Sequence, residues 1–278
     1  MDIAFEAVGS QGKYQKIIAF LVILVAPLSL IMSSSFPFMT KKPSFLCREK
    51  ESIEDFHTCP ERDLCKYNYF EYQKSREESL YNWSYEFELY CSKSYIPPVL
   101  GTTFFCGGIA GSIILSPLPD QYGRKDIYKI LLIVSFILHL NVLFVINEWH
   151  MLFTNILFGM SSYCYSMSTL IITEYIDRST AGIIMSMNNA VFPFSGILIA
   201  LFFLYIDNWR ILFLISSLLS ILCLFLSQTY FLESARWLNS KNRFVETLNV
   251  FKEIAKINGN EETFMKFLSV NSSKNKIN

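Results

Sequence analysis

The stretch Ser116-Pro117-Leu118-Pro119-Asp120-Gln121-Tyr122-Gly123-Arg124-Lys125 is a short charged turn set between two long apolar runs. Gly123 gives it a permissive backbone. Asp120 stands near the start of the following helix, where a carboxylate suits the positive end of the dipole, and Arg124 and Lys125 add two adjacent cations. The apolar runs on either side are each roughly 20 residues long, enough to cross about 30 Å of hydrocarbon. Similar runs recur through the chain. They predict an all-α membrane protein with six transmembrane helices, at about 17–36, 95–118, 127–146, 151–172, 183–206 and 211–231.

Composition agrees. The 278 residues are 52% hydrophobic and 17% charged, with mean hydropathy +0.32, whereas a soluble domain carries about 25% charged residues. Twenty-four basic and 24 acidic residues cancel, so no basic surface points to nucleic acid. No phosphate-loop, dinucleotide, HExxH or paired-CxxC pattern occurs, and no cofactor or metal is expected. The first apolar run exceeds the 7–15 residues of a signal peptide core and has Asp2 and Glu6 in its flank, so it reads as an uncleaved helix.

Basic residues orient the helices. Arg124, Lys125 and Lys129 follow the second run, Arg178 follows the fourth, and eight Lys and Arg follow the sixth. Links 147–150 and 207–209 have none. The positive-inside bias then puts both termini in the cytoplasm. Residues 1–16 form a cytoplasmic N-terminus, 37–94 a long extracellular loop between the first two helices, and 232–278 a cytoplasmic tail. The loop holds Cys47, Cys59, Cys65 and Cys91, an even number expected to form disulfides outside the cell, with three pairings open. It also holds the sequon Asn82-Trp83-Ser84, a candidate glycosylation site. In the tail, Phe244, Leu248, Phe251 and Ile254 or Ala255 recur at helical spacing and predict an amphipathic helix.

The charged turn resembles the D-x-x-G-R-K/R loop of the major facilitator superfamily, and it falls between the second and third helices as it does there. Ser116 stands where that family usually has Gly. Glu86-Phe87-Glu88-Leu89-Tyr90-Cys91 is similar to the E-W-D-L-V-C segment of the organic cation/anion/carnitine transporter family. Glu233-Ser234-Ala235-Arg236-Trp237-Leu238 resembles its E-S-P-R-W-L, and Ile254-Ala255-Lys256-Ile257-Asn258-Gly259 its I-A-x-x-N-G. Sugar porters share two of these motifs but have a short first loop. The resemblance covers residues 14 to 262 and implies the N-terminal six-helix half of that family's fold. It assigns a conformational role to Asp120, Gly123, Arg124, Lys125, Glu174, Arg178, Glu233 and Arg236, and implies a plasma-membrane location. Asn155 stands where the family's fourth helix usually opens with a basic residue.

The resemblance implies transport of small organic solutes, with the bilayer and the solute as partners and no catalysis. A homodimer or a missing C-terminal half would complete the path. Apart from Lys129 near an interface, the predicted spans contain no Asp, Glu, Lys or Arg. Proton-coupled carriers keep such groups in the bilayer, so facilitated diffusion or exchange is expected, with His139 bonded between helices. Asn155, Tyr163, Tyr165, Asn188 and Asn189 are the candidate substrate-binding residues, the tyrosines through cation–π contact. Two alternatives stand beside this reading: a non-transporting or accessory protein of the same fold, and a sugar-porter-like carrier.

Overall fold

A computed structural model describes residues 2–9, 11–49, 57–58, 65, 70–75, 79–176 and 178–274. Helix α1 (Asp2–Val8) precedes the first span, α2 (Lys13–Met39). Three short strands follow, β1 (Phe45–Glu49), β2 (His57–Thr58) and β3 (Phe70–Lys74), then the one-turn helix α3 (Trp83–Glu86). The second span is α4 (Ile96–Leu115), joined through α5 (Leu118–Tyr122) to the third, α6 (Arg124–Leu143). The fourth is built from α7 (Glu148–Ser161) and α8 (Tyr163–Tyr175), the fifth is α9 (Arg178–Tyr205) and the sixth α10 (Trp209–Tyr230). The tail forms α11 (Ala235–Ser240), α12 (Phe244–Asn258) and α13 (Glu261–Lys274). Among the described residues, six helical segments are thus long and apolar enough to cross a membrane, in the six places the hydropathy pattern marks.

Within the bundle α2 is central, with α8, α9 and α10 packed on it, while α4 lies along α7 and α10 along α6. Small residues set the closest approach. A Cβ on Gly107 would collide with the Ile156 carbonyl, and one on Gly159 with the Phe104 carbonyl. Where lipid supplies no hydrophobic drive between helices, such contact lets van der Waals packing hold them. Asn155 reinforces this crossing. It is fully buried, and its amide donates to the Leu100 carbonyl and to Thr103 Oγ1 at 2.9 Å.

The buried apolar side chains fall into two main clusters. One, around Trp83, Leu89, Phe158, Trp209 and Phe213, lies toward the end that carries the long loop. The other, around Tyr14, Tyr128, Tyr175, Phe231 and Phe251, lies toward the end that carries the tail. These ends are called here the loop face and the tail face.

The loop contains an antiparallel sheet of order β2-β1-β3, with Cys47 opposite both His57 and Tyr72. Its residues show no alternation long enough to announce these strands. Cys65 and Cys91 are bonded, with Cα atoms 5.4 Å apart, and Cys47 is disulfide-bonded as well. Cys59 lies outside the described residues.

Asn82 is 1% exposed. Its amide donates to the Phe38 carbonyl (2.6 Å) and the Lys41 carbonyl (2.8 Å), while its Oδ1 caps α3 by accepting from Tyr85 N at 2.9 Å. A glycan would have to attach to that same amide nitrogen. In this fold Asn82 ties the loop to the end of α2.

The tail helix forms at 244–258, yet its packed face differs from the expected one. Thr247, Phe251, Ile254 and Ala255 are buried, whereas Phe244 is 60% exposed. The shift follows from what α12 packs against. It meets α1, with the Phe5 and Phe251 rings edge-to-face at 5.1 Å.

Candidate functional site

At the tail face, residues far apart in sequence converge on the turn after α5. Gly123 has φ +109°, a region L side chains rarely adopt, and a Cβ there would sit 2.5 Å from Glu233 Oε2. The first amides of α6 consequently have no cap from their own segment. Glu233, beyond the sixth span, supplies one. Its Oε1 accepts from Arg124 N at 2.9 Å, Lys125 N at 3.2 Å and Ser234 N at 2.9 Å. A carboxylate at a helix N-terminus satisfies orphan donors and meets the positive dipole end together.

The Arg124 side chain is 9% exposed and turns back beneath the turn. Nε donates to Glu174 Oε1 at 2.8 Å, and Nη1 donates to Asp120 Oδ1 at 2.7 Å and to the Pro119 carbonyl at 2.5 Å. Glu174 is 11% exposed, Asp120 72%. Trp237 Nε1 closes the group by donating to the Asp120 carbonyl at 3.0 Å. One latch therefore joins the ends of the second, third and fourth spans to the segment after the sixth.

Of the residues assigned to a conformational role, Asp120, Gly123, Arg124, Glu174 and Glu233 meet here. Lys125 contributes its backbone N–H. Arg236 lies apart, with its guanidinium 5.3 Å from the centre of the Phe5 ring. Arg178 begins α9, and its side chain lies outside the described residues.

The mid-span candidates separate. Tyr165, half-buried on α8, donates its hydroxyl to Asn189 Oδ1 at 2.7 Å across to the exposed side of α9. Ser166 and Ser186 are exposed on the same two helices. Asn188 is fully buried, and neither of its side-chain polar atoms has a hydrogen-bond partner. Tyr163 packs against the tail-face cluster, and Asn155 is the helix clasp described above. His139 is fully buried between Phe158 and Phe213, and its Nδ1–H donates to the Ser135 carbonyl at 2.6 Å. Among the described residues no cluster of three His, Cys, Asp or Glu side chains could hold a metal.

Two connections escaped sequence reasoning. At the loop face Glu86 takes Arg210 in both hands, Oε1 to Nη2 at 2.5 Å and Oε2 to Nη1 at 2.7 Å, and Oε2 also accepts from Trp209 Nε1 at 3.0 Å. At the tail face Asn258 accepts from Tyr14 N at 2.9 Å, capping α2, and donates to the Val8 carbonyl (2.8 Å), the Gly9 carbonyl and Gln15 Oε1 (both 3.1 Å). Both Glu86 and Asn258 stand in stretches whose resemblance was legible. Their partners, 124 and 244 residues away, were not.

Residues 90–271 match the family described as Major Facilitator Superfamily. The chain is 27% identical over 200 residues to "Organic cation/carnitine transporter 2" of Mus musculus, an alignment covering 67% of this chain and 36% of that protein. It is 30% identical over 204 residues to "Solute carrier family 22 member 21" of Mus musculus, covering 67% and 35%. It is 26% identical over 279 residues to "Organic cation transporter-like protein" of Drosophila melanogaster, covering 87% and 48%. The chain thus spans between about a third and a half of the length of these curated relatives. Among solved structures, the partially occluded inward-open xylose transporter XylE from E. coli superposes with a TM-score of 0.59 at 15% identity, covering 95% of this chain and 61% of that one. That likeness concerns the fold. The chain belongs to the major facilitator superfamily.

Proposed function

We propose that this member of the major facilitator superfamily is a carrier of small organic solutes, of the organic cation, organic anion and carnitine-like class, and not an enzyme. The observation that carries the reading is the tail-face latch. A buried arginine held between Glu174 and Asp120, with Glu233 capping the helix it starts, ties the ends of the second, third and fourth spans to the segment after the sixth. It suits an end of the bundle whose contacts must hold firm while another body moves. Both termini lie on the cytoplasmic side in this reading, by the positive-inside bias, in the plasma membrane.

The solute meets the protein at Tyr165 and Asn189. They lie near the middle of the fourth and fifth spans, where carriers of this architecture place substrate, and they offer a ring, a hydroxyl and an amide at an accessible position. A cationic solute over the Tyr165 ring gains about 0.5–2 kcal/mol. Among the spans, the second and fifth are the least buried within the chain. A second six-helix body, either another copy or a C-terminal half, would sit on those faces and complete the path. Charges in the described spans stand at helix ends, and His139 is enclosed by aromatic rings, so this chain supplies no proton relay and transport is facilitative.

Uptake into cells expressing the protein tests this, with tetraethylammonium, carnitine and an aromatic carboxylate as organic ions and xylose as the sugar control. Saturable uptake of an organic ion, with KM raised about 2- to 30-fold by Tyr165→Leu as the cation–π range implies, supports the proposal. Saturable xylose uptake alone would move the chain to the sugar porters. No saturable uptake of any of them, with the chain expressed alone or together with the C-terminal half of a relative, sinks the carrier reading.

A further inference from the structure

A groove of about 350 Å³ runs between the tail-face ends of α2 and α10, lined by Lys16, Ile17, Phe20, Leu21, Leu226 and Tyr230. Phe20 is 60% exposed and Tyr230 44%, so both rings offer broad faces to whatever fills the space between the helices. Lys16 stands at the end nearest the membrane boundary, and Lys13 precedes it by three residues, which places both on one side of the helix. Both are exposed. The first turn of α2 contains no acidic residue, and among the described residues neither lysine forms an ion pair.

These features make complementary demands. Apolar walls continuing down from the boundary take hydrocarbon, tyrosine favours the interfacial level, and long lysine stems let ammonium groups reach headgroup depth. Lys16 at the mouth and Lys13 one turn before it, both unneutralised, call for a negative group. A zwitterionic headgroup brings its own ammonium to that mouth and loses part of the attraction. An anionic one does not, and the leaflet assigned to this end by the positive-inside bias is the one rich in anionic lipid.

We propose that this groove binds one anionic phospholipid, with its phosphodiester at Lys13 and Lys16, its glycerol level beside Tyr230, and an acyl chain along Phe20, Leu21 and Leu226. The site lies at the ends of the first and sixth spans, away from Tyr165 and Asn189 in mid-span, and does not depend on the solute reading.

Native mass spectrometry and thermal unfolding of the full chain in detergent test it, with phosphatidylglycerol, phosphatidylcholine, and soluble glycerol 3-phosphate or inorganic phosphate added in separate arms. One phosphatidylglycerol is expected to stay bound and raise Tm, with phosphatidylcholine and the soluble phosphates doing neither. Lys13→Gln with Lys16→Gln should weaken phosphatidylglycerol retention about 30-fold, from about 1 kcal/mol per lysine. Leu226→Trp, which fills the groove and leaves both lysines, should also release the lipid. Lys252→Gln, an exposed lysine on α12, should leave retention unchanged. Equal retention of the two lipids, an equal Tm rise from soluble phosphate, or undiminished retention in the double lysine variant overturns the proposal.

Discussion

Arg124 has two carboxylate partners at nearly the same distance, 2.8 Å to Glu174 and 2.7 Å to Asp120. Distance alone would rank them equal. Burial does not, because Glu174 is 11% exposed and Asp120 72%. Removing one partner of a buried pair strands a charge and costs about 3–5 kcal/mol, whereas an exposed pair contributes about 0–1 kcal/mol. Arg124→Ala should therefore destabilise by about 3 kcal/mol or more, and Glu174→Ala by somewhat less, since Arg124 keeps Asp120 and the Pro119 carbonyl. Asp120→Ala should cost under about 1 kcal/mol. Double-mutant cycles isolate the pair energies. The expected coupling is about 2 kcal/mol for Arg124 with Glu174 and below about 0.5 kcal/mol for Arg124 with Asp120. Unfolding in mixed detergent micelles can be followed by fluorescence of Trp237, whose indole bonds the Asp120 carbonyl. If the Asp120 coupling equals or exceeds that of Glu174, burial does not govern this latch and the reasoning fails.

Further outcomes follow from the same contacts. Gly123→Ala forces a side chain into φ +109° and against Glu233, which should cost about 1–3 kcal/mol in the same unfolding assay; unchanged stability would show that the turn can shift. Asn82→Asp keeps the cap on α3 but sets a carboxylate against two carbonyls, for an expected loss of about 2 kcal/mol. Endoglycosidase treatment of the folded protein should leave its gel mobility unchanged at this site, and a downward shift abolished by Asn82→Gln would overturn the structural assignment. Asn258→Ala removes the trans cap of α2 and the bonds to Val8 and Gly9. Hydrogen exchange in residues 2–12 should then quicken relative to the mid-span amides, and unaltered exchange there would mean that ring packing alone holds α1.

The legible part of this fold is the part that physics writes locally. A span announces itself because some twenty residues must each avoid charge, and all six were readable. The Asp120–Lys125 turn was readable because its glycine and its charges are adjacent in sequence. The loop sheet was not, since β1 and β3 pair across the intervening chain and each alternates over no more than five residues. A sequon is defined by three residues, whereas the hydrogen bonds of Asn82 rest on carbonyls at Phe38 and Lys41 that only folding brings near. Asn155, read as a path residue for its polarity, spends its amide on the Leu100 carbonyl and Thr103 Oγ1 of α4, while its buried Oδ1 meets no hydrogen-bond partner. Polarity within a span demands a partner, and sequence does not say whether helix or solute provides it.

The distribution of the long-range polar contacts bears on how such a bundle could move. Glu86 and Arg210 fasten the loop face, joining α3 to the start of the sixth span. Arg124, Glu174 and Glu233 fasten the tail face, and Asn258 ties α12 to the start of the first. Between the two faces the second and fourth spans meet backbone to backbone at Gly107 and Gly159, a contact that allows little sliding. The second and fourth spans, joined at the tail face through Arg124, at the loop face by Lys93 with Glu148 at 3.4 Å, and interlocked between, resist shear against each other. The looser part lies elsewhere: a cavity of about 220 Å³ separates the first, fifth and sixth spans, lined by Pro27 and by Ser195 just beyond Pro193. A proline inside a helix removes a backbone hydrogen bond, so bending there disturbs less than bending at either fastened end. In the proposed transport cycle the chain would therefore move as one body with local flexure at α2 and α9, and α9 is the helix that carries Asn189.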